Sequence, residues 1–236
     1  MQRKTVTLAS VKSNEELRTL IDAANHNLET MGYTEHGIRH VSYVSKTTQY
    51  ILQELGYDER IVELGAIAGW VHDIGNSVNR HHHGLTGATL TYQIFTRMKM
   101  PPAEIATLTS AIGNHEEETG TPVNAVSAAL IIADKSDAHR SRVRRDNYDP
   151  TDIHDRVNLS IKKNFVTVDK EKKVIRLNIF MNDISSPMEY MEIYMSRMKF
   201  SEKAATLLGC DFELAINGMI VNKKQDSGER YGFCRS

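Results

Sequence analysis

Residues 66–75 read Ala-Ile-Ala-Gly-Trp-Val-His-Asp-Ile-Gly, an apolar helical run that ends in a histidine and an aspartate side by side. Neither His72 nor Asp73 belongs in a core unless something satisfies it. An unpaired buried carboxylate is costly, or takes up a proton instead. A divalent metal ion satisfies both residues at once, so the flanking helices must supply the remaining ligands.

Working outward, the chain reads as a series of helices. Ser13 to Glu16 forms a capping box ahead of Leu17, Leu20, Ile21, Ala24 and Leu28 on one face, and Gly32 ends that helix. A second helix spans about 37–55 with Val41, Val44, Ile51 and Leu52 inward. A third starts near Asp58 and ends with Gly75 in the C-cap position. After a polar loop at 76–84, a helix is expected over 86–98. Pro101 and Pro102 open another, which ends near His115, and Pro122 begins one whose apolar face continues into Asp134 and Asp137. Beyond Asp149-Pro150 the pattern changes. A short helix covers 152–161, and two β-branched strands, 165–168 and 174–179, are joined by a hairpin turn. One helix starts at Ser186-Pro187 and another at Ser201, which Gly209 ends; Phe212, Leu214 and Ile216 alternate as a third strand. The fold class expected is mostly α: a helical domain over 1–150 and a small α+β appendage over 151–236.

Of the 236 residues, 40% are hydrophobic and 25% charged, with a net charge of −1, which suits a water-soluble globular chain and argues against binding duplex nucleic acid. No apolar run is long enough to span a bilayer, and residues 1–18 lack the apolar segment of a secretory signal. The two cysteines, Cys210 and Cys234, have no metal or redox spacing, so a cytoplasmic location is expected.

Six residues at helix ends or on inward faces are candidate metal ligands: His40, His72, Asp73, His83, His115 and Asp134. Imidazole and carboxylate suit Fe, Mn, Co, Ni, Zn or Mg, and six such groups match two ions sharing a bridging carboxylate. The ordered set His…His-Asp…His…His…Asp resembles the HD-domain superfamily of metal-dependent phosphohydrolases over about 35–145. It does so in His40 of IRHVSYV, the doublet in WVHDIG, His83 to Ala88, His115 of AIGNHEE and Asp134 of LIIADKSDA. The single histidine at 115, preceded by Asn114, is closer to the dinuclear diadenosine tetraphosphate hydrolases than to the cyclic-di-nucleotide branch. Many relatives carry a lysine where this chain has Asn76.

The resemblance implies an HD-type helical bundle and hydrolysis of a phosphoester or phosphoanhydride, in a nucleotide or similar small molecule, by a metal-activated water. In that reading Asp73 bridges two ions; His40, His72 and Asp134 complete one site, His83 and His115 the other. Phosphate needs cationic support, for which Arg80, Lys135, Arg142 and Arg145 are the candidates, and Glu116 is a proton shuttle or a partner of a ligand. Two alternatives use the same residues: a diiron oxygenase on this fold, and a non-catalytic nucleotide sensor. His82 replaces His83 if the register shifts. Asp137 reads as a helix-surface charge, and His26, His36, His139 and His154 as surface histidines. Met188, Met191, Met195 and Met198 read as core or as a subunit interface. The C-terminal part is a candidate dimerisation element.

Overall fold

Helices α3 (Ile38–Leu55) and α4 (Glu59–Val71) frame the site in the computed structural model, which describes residues 5–143 and 148–222. Ser45 lies against Gly69 and Leu52 against Gly65, so the two helices run antiparallel and bring His40 and His72 to the same end. A Cβ on Gly69 would sit 2.6 Å from the Ser45 Cα. The glycine is what lets the two backbones approach so closely. Gly56, in the left-handed region at φ 84°, ends α3, and the Asp58 side chain caps α4 by accepting from Arg60 N and Ile61 N.

Helix α4 stops at Val71, and His72 is its C-cap. The chain then tightens into a 3-10 turn over Ile74–Ser77, so Gly75 is not a helix cap. Its role is close approach: a Cβ there would overlap the His83 carbonyl at the start of α5 (His83–Arg97). That helix begins three residues earlier than the sequence pattern suggests, with His82 in the left-handed region at φ 58°. Helix α2 (Glu15–Thr30) is capped by Asn14 rather than Ser13, and a short unexpected α1 (Leu8–Lys12), capped by Thr7, precedes it. Helix α6 (Pro102–Gly113) follows α5, and α7 (Ala125–Lys135) starts after an Asn124 cap rather than at Pro122.

A short α8 (Ile153–Ser160) leads into a sheet of order β1-β2-β3-β4. Strands β1 (Ile161–Asp169) and β2 (Val174–Met181) form the expected hairpin. One long α9 (Pro187–Leu207) then carries the chain back, so that β3 (Asp211–Ile216) pairs parallel to β2; β4 (Met219–Ile220) adds a short edge. Ser201 does not start a new helix. Its hydroxyl donates to the Arg197 carbonyl one turn back, at 3.0 Å. The methionines do not form one buried stripe either. The buried face of α9 is Tyr190, Tyr194, Met198, Ser201 and Ala205, whereas Met188 and Met195 are exposed. Apolar packing is continuous from Leu52, Ile67 and Leu130 of the helices to Ile175, Leu177 and Leu214 of the sheet. Among the described residues, no helix is long and apolar enough to cross a membrane.

Candidate metal centre

Five helices deliver one end each to a single point. His40 opens α3, His72 and Asp73 follow α4, His83 opens α5, His115 follows α6, and Asp134 closes α7. His40, His72 and His115 are buried almost completely, and Asp73 and His83 are 5% exposed. His40 Nε2 lies 3.3 Å from His72 Nε2, 3.4 Å from Asp134 Oδ1 and 3.5 Å from Asp73 Oδ2. On the other side, Asp73 Oδ1 lies 3.3 Å from His83 Nε2 and 3.7 Å from His115 Nε2, and those two nitrogens are 3.1 Å apart. Asp73 thus turns one carboxylate oxygen to each pair of histidines. Arg145 lies outside the described residues.

Hydrogen bonding fixes which ring nitrogens face inward. His72 Nδ1 donates to Gly69 O at 3.0 Å, His83 Nδ1 to Arg80 O at 3.0 Å, and His115 Nδ1 to Ile112 O at 2.6 Å. A carbonyl only accepts, so each ring carries a proton on Nδ1 and turns Nε2 into the centre. Burial, with His83 and His72 nearby, pushes His115 down to about 4, which keeps it neutral. His83 Nε2, His115 Nε2 and Asp73 Oδ1 therefore converge on one point, with Asn76 donating to Asp73 Oδ1 and Arg80 Nη1 3.4 Å from His83 Nε2 at its edge. Imidazole nitrogens and carboxylate oxygens brought this close together suit a metal cation. Ligands ~2.1 Å from an ion stand roughly 3.0–3.4 Å apart in octahedral or tetrahedral geometry, close to the spacings seen here. Two overlapping trios have all donor atoms within 4.8 Å of one another: His40, His72 and Asp134, and His72, Asp73 and His115. These groups fit a divalent metal.

The carboxylates are ready as ligands. Burial alone would raise Asp73 and Asp134, but the surrounding groups win. His72, His115 and His83 hold Asp73 well below the usual carboxylate range; Lys135, His40 and His72 do the same for Asp134. Burial works against a charged His40, yet Asp134 and Asp137 outweigh it and raise the ring to about 9.

A shell of supporting groups holds the ligands in place, and part of it departs from expectation. Asp137 is not a surface charge: it is fully buried, its Oδ2 lies 2.6 Å from His40 Nδ1, and Arg39 donates to both of its oxygens at 2.7 and 3.1 Å. The signal was its three-residue spacing from Asp134, which puts both on one side of the α7 terminus. His36 is no free surface histidine either, since its Nε2 meets Arg142 Nη2 at 2.8 Å. Arg142 is turned inward and also donates to Asp137 O at 2.6 Å. Asn76 is buried and donates to Asp73 Oδ1 at 3.0 Å, orienting that carboxylate. Glu116 lies 3.0 Å from His83 Nδ1 and accepts from Gly84 N in the first turn of α5. His82 is exposed.

The centre opens through a throat of about 30 Å³ into a chamber of about 330 Å³. Three cationic side chains line both spaces: Arg80, Lys135 and Arg197. Arg80 sits over the Tyr33 ring, 5.3 Å from its centre. Lys135 pairs with Asp134 at 2.8 Å and Glu117 at 2.9 Å. Arg197 comes from the C-terminal α9, facing Glu117 at 3.6 Å and stacking over Tyr194. Arg197 and Glu117 were not among the sequence candidates. The available signal was periodicity, because Arg197 falls beside Tyr190, Tyr194 and Met198 on the buried face of α9.

No family model matches the chain, and no curated protein matches it. Among solved structures, it is similar to a predicted HD superfamily hydrolase from an uncultured Thermotogales bacterium, with a TM-score of 0.43 and 22% identity over 52% of this chain and 67% of that one.

Proposed function

We propose that this chain is an HD-type, metal-dependent phosphohydrolase acting on a nucleotide or a similar small phosphorylated molecule. The observation that supports this most is the convergence of buried imidazole nitrogens and carboxylate oxygens from five helices, beside three cationic side chains. In this reading His40, His72 and Asp134 would hold one ion and His83 and His115 a second, and Asp73 would be a ligand to both. Divalent ions there would supply an activated water as nucleophile and positive charge for the phosphoryl group.

The remaining work falls to the protein. Arg80, Lys135 and Arg197 bind the phosphoryl oxygens and neutralise charge as it builds up. Burial disfavours their charged forms, yet Asp134 and Glu117 raise Lys135, and Tyr194 and Glu117 raise Arg197, so both stay cationic at neutral pH. Asp137 and Glu116 fix the ring orientations of His40 and His83, and Asn76 fixes Asp73.

The test pairs metal analysis of the purified protein with phosphate release from nucleotides and sugar phosphates and with nucleotide formation from dinucleoside polyphosphates. Bound transition metal and phosphate or nucleotide release that Asp73→Asn abolishes are expected. A metal-loaded protein that releases neither from any of these, or turns over only with dioxygen, would overturn the proposal.

A further inference from the structure

Behind the metal centre, between α3, the turn at 139–141 and β1, lies a second concavity of about 480 Å³. Arg39, Lys46, Lys162 and Lys163 line it, with hydroxyls of Ser42 and Tyr43 between them. Its one acid, Asp137, is fully buried and paired with Arg39 and His40, and Arg39 is also paired with Glu35 at 2.7 Å, so the uncompensated charge on this wall is that of the lysines. Lys46, Lys162 and Lys163 have no ion-pair partner among the described residues. Exposed lysines are ordinary. Several unpaired ones on one concave wall concentrate positive potential, and that potential is relieved by an anion.

A neighbouring hollow of about 250 Å³ shares Tyr43 and Lys46, and its far wall is Tyr50, Phe165 and Val166. Phe165 is braced from behind by Phe180, their ring centres 6.1 Å apart and nearly parallel. Lys163 Nζ sits 4.7 Å from the centre of the Phe165 ring, at the border of the two hollows. A basic cup therefore adjoins an aromatic shelf. That pairing suits a ligand with a polyanionic end and a flat aromatic end, and every nucleobase offers a face for stacking.

We propose that this rear surface binds a nucleoside triphosphate, with its phosphates on Arg39, Lys46, Lys162 and Lys163 and its base against Tyr50 and Phe165. The site is separate from the chamber over the metal centre, and its ligand contacts Arg39, the residue that clamps Asp137 behind His40. The proposal does not depend on the phosphohydrolase reading, because binding is measured without metal.

The experiment is calorimetric titration of the full-length, EDTA-treated protein with ATP, tripolyphosphate and adenosine. The front rim is silenced by Arg80→Glu with Arg197→Glu. That variant is expected to bind one ATP per chain, more tightly than tripolyphosphate. Adding Lys46→Glu with Lys163→Glu should weaken ATP at least about tenfold with the thermal midpoint unchanged, since both lysines are exposed. Phe165→Leu should weaken ATP but not tripolyphosphate. Failure of the rim-silenced variant to bind ATP, or binding indifferent to the two lysines, overturns the site. Tripolyphosphate binding as tightly as ATP, or single-stranded RNA displacing ATP at far lower concentration, overturns the nucleoside triphosphate assignment.

Discussion

Asp137 touches no proposed reacting group, yet it decides how His40 points. A carboxylate behind a ligating imidazole fixes the ring and raises its basicity, and losing such a partner typically costs about 10–100-fold in metal affinity. Asp137→Asn should therefore weaken Mn²⁺ or Co²⁺ binding by about that factor, read by titrating the metal-free protein, while circular dichroism stays unchanged. The same contact makes a prediction about pH. His40 is raised from 6.5 to about 9 in the metal-free protein, so the charged ring contributes stability fully below pH 6.5, and that contribution is lost as pH rises through about 9. The metal-free thermal midpoint should fall over that window, and His40→Gln should remove the fall. The six candidate ligands were legible in the sequence because their types and order are restrictive. Asp137 was not, because its partners Arg39 and His40 lie nearly 100 positions away and a lone aspartate at a helix end is ordinarily solvated.

Elements place these residues by how closely they pack. Gly69 sets the α3–α4 contact, so Gly69→Ala should push the helices apart and cost about 1–3 kcal/mol in denaturant unfolding. Gly113, at the end of α6, has only ordinary contact in store, 3.6 Å to the Ala88 side chain, and Gly113→Ala should be neutral or slightly stabilising. Equal effects of the two substitutions would refute this account. Apolar periodicity made most helices readable. Their ends were less so, because Ser13 and Asn14 are both good caps and only the fold chooses Asn14. Ser201 misled for a related reason. A serine is a start signal only where the preceding turn is not helical, and here α9 already buries Tyr194 and Met198 on the same face.

At the scale of the whole molecule, the C-terminal third completes the rim of a centre built from the first two. Helix α9 packs against α7 and carries Arg197 to the throat. Arg197→Ala should lower kcat/KM for a phosphorylated substrate about 10–100-fold, as expected for a lost charged hydrogen bond, with metal content unchanged and partial rescue by lysine. An unaltered kcat/KM would remove Arg197 from the site. Nothing local in the sequence announces this juxtaposition. It follows from α9 being the crossover between parallel strands β2 and β3, a long-range pairing that periodicity does not encode. The throat itself has a consequence for selectivity. At about 30 Å³ it has room for roughly two water molecules, whereas the chamber outside is about 330 Å³. A space that small admits neither a sugar nor a base. Under the proposed chemistry, such a gate would favour attack at the ends of molecules over linkages flanked by bulk on both sides.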